Sequence, residues 1–233
     1  ATIAGFVCIF LKDKMAVAVA VGVFCAILLA IAIYIFVFIY QHLKQTKHDF
    51  IGHATFVKYE TEKDGKNILY EVYRQIQSKQ LVMTELDYAF KWTGSKPPII
   101  TSHLQKTDGK IYQGSKEIYD HVKLILKKPL VYNETGTIHF NAKLDDYDDI
   151  SKPYVEFKVE VPVDIVHFRI ILKNKSSDFC QSATIKRRNI FNQTGNVEYE
   201  TLQSIPFNTD CKSYEYHLLT PEVGYFYRIE WVK

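Results

Sequence analysis

Tyr154-Val155-Glu156-Phe157-Lys158-Val159-Glu160-Val161 is the stretch that sets the fold class. Val155, Phe157, Val159 and Val161 fall on one side of an extended chain, and Glu156, Lys158 and Glu160 on the other. Successive side chains of a strand point to opposite faces, so this alternation predicts a strand with one buried face and one wet face. The same period recurs on both sides of it. Upstream, Ile68, Tyr70, Val72, Arg74 and Ile76 alternate with Leu69, Glu71, Tyr73 and Gln75, after a first strand at 54–61. Between them lies Glu62-Lys63-Asp64-Gly65-Lys66, whose Asp-Gly pair can supply the left-handed turn of a hairpin.

Further strands are predicted at 86–92, 99–107, 121–126, 137–144, 165–172, 183–188, 197–202, 214–219 and 225–232. Turn-forming clusters separate them, among them Thr107-Asp108-Gly109 and Asn133-Glu134-Thr135-Gly136. Short strands at regular spacing predict a mainly β domain over 54–233, an antiparallel β-sandwich or barrel-like fold. Ser115–Asp120 reads as one turn of helix capped by Ser115, and Gln75–Glu85 as either strand or short helix.

The first forty residues follow a different rule. Met15 to Tyr40 contains no charge, no proline and one glycine, Gly22. As a helix this run is about 39 Å long, against the roughly 30 Å of a bilayer core. A cleaved signal peptide has a shorter apolar region closed by a small-x-small site. Here Gln41-His42-Leu43-Lys44 follows, so the expectation is an uncleaved single-pass anchor at 15–40. Tyr34, Phe36, Phe38 and Tyr40 crowd its far end, where aromatic rings favour the membrane interface. Residues 1–14 read as an apolar lead-in or the remnant of a first membrane helix, and 41–53 as a juxtamembrane linker. Ala18 and Gly22 stand four apart, the spacing that lets two helices pack closely and an oligomer form. Lys12 and Lys14 before the span balance Lys44 and Lys47 after it, so the basic residues set no orientation.

The chain of 233 residues carries 29 Lys and Arg against 26 Asp and Glu. That balance argues against a nucleic-acid polymer as partner, and the abundance of large apolar and aromatic residues argues against disorder. Chemistry-bearing patterns are few. Cys8 and Cys25 belong to the apolar region. Cys180 and Cys211 belong to the body and form a candidate disulfide if it faces an oxidising space. His103, His121, His139, His167 and His217 sit inside predicted strands and read as exposed or satisfied sheet histidines rather than metal ligands. Asp145-Asp146-Tyr147-Asp148-Asp149 lacks the ligand spacing of a calcium loop and reads as a solvated turn. Lys186-Arg187-Arg188 and Lys127-Lys128 are short basic spots that read as strand faces. Phosphate-binding glycine loops and a nucleophile elbow are missing, and no cofactor is implied.

Three Asn-x-Ser/Thr triplets begin at Asn133, Asn174 and Asn192, all in predicted loops. In an exoplasmic domain they are glycan acceptors, and with the cysteine pair they tilt the body toward the exoplasmic side. The pattern is that of a membrane protein whose partners are the bilayer and either a protein or further copies of itself, with a small-molecule ligand a further option. The functional expectation is a membrane-anchored, non-catalytic binding or assembly module. Two alternatives share the architecture. One is a bacterial signalling or defence effector whose cytosolic β-domain senses a small molecule such as a nucleotide. The other is an accessory subunit of a larger membrane complex.

Overall fold

The structure is a computed structural model that describes residues 14–44, 48–113, 119–190 and 199–233. The chain divides into two compact units, Ala1–Lys47 and His48–Lys233. The first contains α1 (Lys14–Lys44). Within it Val17–Gln41 is long and apolar enough to cross a bilayer. A helix that is apolar on every side has no face for water and requires apolar surroundings all round. This is compatible with a membrane anchor or with a signal sequence.

Among the described residues, the regular elements of the second unit are all strands. In chain order they are β1 (Phe50–Thr61), β2 (Asn67–Ser78), β3 (Val82–Phe90), β4 (Ile99–Thr101), β5 (Gln105–Thr107), β6 (Tyr112–Gln113) and β7 (Asp120–Val131). There follow β8 (Thr135–Asp145), β9 (Tyr154–Val159), β10 (Val163–Leu172), β11 (Ala183–Asn189), β12 (Glu200–Ile205), β13 (Ser213–Leu219) and β14 (Tyr225–Glu230). Three sheets result: β13-β10-β1-β2-β8-β4, β12-β11-β14-β9, and β3-β7-β5 with β6 also on β7. Pairing is antiparallel except between β1 and β10, which run parallel. The expected mainly β fold behind an apolar helix is therefore what the chain adopts.

The β1–β2 hairpin turns where Asp-Gly stands. Gly65 has φ 71, a left-handed conformation that costs glycine nothing. The Asp64 carboxylate accepts the backbone N–H groups of Lys66 and Asn67 at 2.9 and 3.1 Å, fixing the turn. The alternating apolar residues meet in one core shared by the three sheets, with Val57, Val72, Phe140, Phe168, Ile185 and Ile229 among its most buried members.

Several boundaries differ from the sequence expectation, each for a local reason. The predicted strand 99–107 breaks into β4 and β5 because the Ser102 hydroxyl accepts the N–H groups of Leu104 and Gln105 and turns the chain. The 75–85 segment is strand at both ends, β2 running to Ser78 and β3 starting at Val82. β7 runs on to Val131 through Pro129, which is tolerated because pairing with β3 is interrupted between Met83 and Glu85. Ser115–Ile118 of the expected helical turn lie outside the described residues. β14 lies between β11 and β9, an interior strand of its sheet.

Candidate functional site

The outer face of the β9–β14–β11 sheet carries the densest chemistry in the body. Val155, Phe157 and Val159 of β9 are buried inward, so Tyr154, Glu156 and Lys158 point outward. Antiparallel pairing sets Glu156 opposite Arg228 of β14, and Arg188 of β11 opposite Phe226. Three strands thus bring the Glu156 carboxylate and the Arg188 and Arg228 guanidinium groups onto one face, where Lys186 and Glu230 also pair at 2.9 Å.

Glu156 is the hub, with its side chain only 2% exposed. Its Oε2 accepts Arg228 Nε at 3.0 Å and the Tyr199 hydroxyl at 2.5 Å. Arg228 Nη2 lies 2.8 Å from the same oxygen. Oε1 accepts the Tyr119 hydroxyl. Burial alone would raise the Glu156 pKa, but the Arg228 charge, the two hydroxyl donors and the charge of Arg188 outweigh it and hold the carboxyl below its usual range. Burial, followed by the same carboxylate, pushes the Tyr119 and Tyr199 phenols up, so both remain protonated donors.

Aromatic rings interleave the cations. The Arg228 guanidinium lies 3.8 Å from the centre of the Tyr154 ring and 4.1 Å from that of Tyr199. Arg188 sits 4.4 Å from the Phe226 ring and 5.1 Å from Tyr199. Tyr119 stacks on Phe226 at 5.8 Å, and Lys91 and Lys158 each approach the Tyr119 ring at 5.8 Å. Such contacts favour a cation over a ring face, the more so where water is excluded.

The charges do not balance. Lys158 is paired with Glu160 at 2.6 Å, and Arg228 with Glu156. Arg188 and Lys91 have no carboxylate within ion-pair reach among the described residues, and the Arg188 Nε is buried without any acceptor. Burial pushes the Lys91 pKa down. Glu156 opposes that shift, while Arg228, Arg188 and Lys152 add to it. Chemically the face can accept an anion: it offers a guanidinium Nε with no acceptor among the described residues, a second cation and flat aromatic walls.

The residues singled out from sequence lie elsewhere. Cys180 and Cys211 are exposed thiols on two loops that touch each other, and are unbonded. Asn133 is exposed in the β7–β8 turn with φ 64, and its side-chain oxygen accepts Lys79 Nζ at 2.7 Å. Asn174, after β10, is exposed and accepts the Thr61 hydroxyl at 3.0 Å. Asn192 and Cys8 lie outside the described residues. Ala18 and Gly22 lie on α1, where a Cβ added at Gly22 would meet nothing within 4 Å. The acidic run is divided: Asp146 is buried and accepts the Ser151 N–H and hydroxyl, while Lys96 pairs with Asp145 at 2.6 Å and Lys233 with Asp149 at 2.6 Å. His139 is a satisfied sheet histidine, its Nδ1 accepting the His103 N–H at 2.9 Å and its Nε2 lying 3.1 Å from Glu71. In the basic run, Lys186 and Arg187 are paired with Glu230, Glu200 and Glu222, which leaves Arg188 as the member without a carboxylate. Sequence reasoning missed Glu156, Arg228, Tyr119, Tyr199 and Lys91 as a group. Its one signal was Glu156 on the polar side of an alternating strand, and nothing local places Arg228 opposite it.

No family model and no curated protein matches the sequence. Solved structures do show similarity. An M1 zinc metallopeptidase from Deinococcus radiodurans is 8% identical with a TM-score of 0.35, over 79% of this chain and 42% of that one. Native leukotriene A4 hydrolase from Saccharomyces cerevisiae is 13% identical with a TM-score of 0.40, over 78% of this chain and 29% of that one. The yeast hydrolase in complex with bestatin is 9% identical with a TM-score of 0.38, over 78% of this chain and 28% of that one. The chain thus spans less than half the length of the solved chains it matches.

These matches correct the functional expectation. The solved chains are enzymes, so the assignment of a non-catalytic binding or assembly module is withdrawn, and the effector and accessory-subunit alternatives go with it. The expectation rested on missing catalytic motifs within these 233 residues. A β-domain belonging to an enzyme need not carry the reacting groups, so their absence does not separate it from enzymes. At these identities and TM-scores the likeness transfers no activity, substrate or metal to this chain.

Proposed function

We propose that the outer face of the β9–β14–β11 sheet is an anion-recognition site, held at a membrane by α1 as a single-pass anchor. The ligand chemistry is a carboxylate or phosphate group received by Arg188 and Lys91, with Tyr199 and Phe226 as flat walls for the part of the ligand next to it. Such a site serves an enzyme's substrate or effector as well as a receptor's ligand. The observation that carries the reading is the buried Nε of Arg188, which has no acceptor among the described residues. A buried donor left without an acceptor costs about 1–3 kcal/mol, and an anion bound there recovers that cost.

The test is a thermal-shift and calorimetric titration of the full chain in detergent with inorganic phosphate and with acetate, ionic strength held constant with chloride. Saturable stabilisation that disappears in Arg188→Gln and in Lys91→Met supports the reading. It is overturned if neither anion raises the melting temperature, or if both variants respond as the unaltered protein does.

We further propose that the body lies on the exoplasmic side, with residues 15–40 as the span. Asn133, Asn174 and Asn192 are then glycan acceptors, and Ala18 and Gly22 a helix-packing face for self-association. Resistance to carbonate extraction, and a gel shift on glycosidase treatment that shrinks in Asn133→Gln and is lost only in the triple variant Asn133→Gln/Asn174→Gln/Asn192→Gln, are the expected results. Extraction into the soluble fraction would exclude the anchor.

A further inference from the structure

The two body cysteines stand on loops that the fold has already fastened together. Cys180 lies in the connection between β10 and β11, and Cys211 in the turn before β13. Phe179, one residue before Cys180, packs edge-on against Phe207 at 4.9 Å. Gln181, one residue after it, accepts the Tyr214 hydroxyl through its carbonyl at 2.6 Å. From the other side, Lys212 Nζ donates to the Lys175 carbonyl at 2.7 Å, and the Lys212 carbonyl accepts the Leu172 N–H at 2.8 Å. Each cysteine is therefore flanked by a residue that touches the other's loop.

Both local conformations are fixed. The Cys211 N–H donates to the Asn208 side-chain oxygen at 3.0 Å, and Asn208 and Ser213 exchange both backbone hydrogen bonds at 2.8 and 3.0 Å. Lys212, next to Cys211, has φ 49, a left-handed conformation that a side chain pays for unless the surroundings hold it. Cys180 and Cys211 are both exposed. Free cysteines are usually among the most buried residues, so two exposed thiols on adjoining loops form an unusual pair.

We infer that Cys180 and Cys211 are oxidised to a disulfide that staples the β10–β11 loop to the turn before β13. The inference rests on the exoplasmic placement of the body, where disulfides persist. Each thiol loses a proton, and the pair gives two electrons to a disulfide oxidant such as glutathione disulfide. The S–S bond of the oxidant breaks to two thiols as the Cys180–Cys211 bond forms. The bridge closes a loop of about 30 residues, in the range where a cross-link constrains the unfolded chain substantially.

Two measurements separate the geometry from the topology. The first incubates the purified full chain in detergent with a glutathione redox buffer, then maps non-reduced tryptic peptides by mass spectrometry. A linked peptide pair containing Cys180 and Cys211 is expected. The melting temperature should fall by about 5–15 °C on reduction, a fall that is lost in Cys211→Ser. Glutathione adducts on each cysteine with no linked pair overturn the inference on geometric grounds. The second maps protein taken directly from cells with thiols blocked before lysis. A bridge that forms in the buffer but is missing from cells shows the body facing a reducing space, which overturns the exoplasmic reading and the native disulfide together.

Discussion

Replacing Glu156 with alanine removes the carboxylate that Arg228, Tyr119 and Tyr199 share. The Arg228 side chain is 17% exposed and Glu156 only 2%, so the pair is largely shielded from water. Breaking a buried pair from one side costs about 3–5 kcal/mol, because the surviving charge stays buried without a partner. Arg228 keeps its stacking on Tyr154 and Tyr199, which places the expectation near the lower end, about 3 kcal/mol. For a unit of this size that corresponds to a fall of about 6–12 °C in melting temperature. Glu156→Gln keeps the volume but turns one acceptor into a donor facing Arg228, and should fall between alanine and the native residue.

The assay is urea and thermal unfolding of the single variants and of the double variant Glu156→Ala/Arg228→Ala, with the coupling energy taken from the cycle. The pH dependence follows from the sign of the shift. The folded-state pKa of Glu156 lies below its ordinary value of 4.5. Its contribution is therefore full above the unfolded pKa, and is lost as pH falls through the lower folded one. The native protein should lose more stability than the Glu156→Ala variant between about pH 5 and the acid limit. Glu156→Gln also removes a carboxylate charge that acts on Lys91 and Arg188, so it should bind phosphate more tightly while melting lower. A loss under about 1 kcal/mol for Glu156→Ala, with no coupling to Arg228, would refute the reasoning.

Three further outcomes are expected. Gly65→Ala forces a side chain into φ 71 with its Cβ 2.8 Å from Asn174 Nδ2, and should cost about 1–2 kcal/mol by denaturant unfolding. A chain ending at Gly224 loses β14, hence Phe226, Tyr227, Ile229 and Trp231 from the core and the strand between β11 and β9, and should not melt cooperatively by calorimetry. An unchanged transition there would show that β14 is dispensable. His139→Leu leaves the His103 N–H without its acceptor and Glu71 without its imidazole partner, and should destabilise by about 2–4 kcal/mol, read from the urea midpoint at constant slope.

Much of the fold is legible in single residues. The alternation at 154–161 predicts β9 with the correct inward face, since Val155, Phe157 and Val159 are the buried ones. Asp64-Gly65 predicts the β1–β2 turn because only a few residue types tolerate its backbone. The division of 99–107 into β4 and β5 is harder to read, because the Ser102 hydroxyl competes with the sheet for the N–H groups of Leu104 and Gln105. The parallel β1–β10 pair is not legible locally, since nothing in either strand's own pattern names its neighbour.

The site shows the same division more sharply. Periodicity is a property of neighbours in the chain, so the sequence by itself determined an apolar helix and a body of half-buried strands, and put Glu156 on the polar side of one of them. Pairing and register depend on contacts between residues far apart. Glu156 and Arg228 are 72 positions apart, and Tyr119 and Tyr199 reach the same carboxylate from 37 and 43 positions away. Only the tertiary structure decided that these groups converge while the buried Arg188 Nε has no acceptor among the described residues. The physical reason is that a strand's faces follow from its own residues, whereas the charge balance of a sheet face follows from which strands lie side by side.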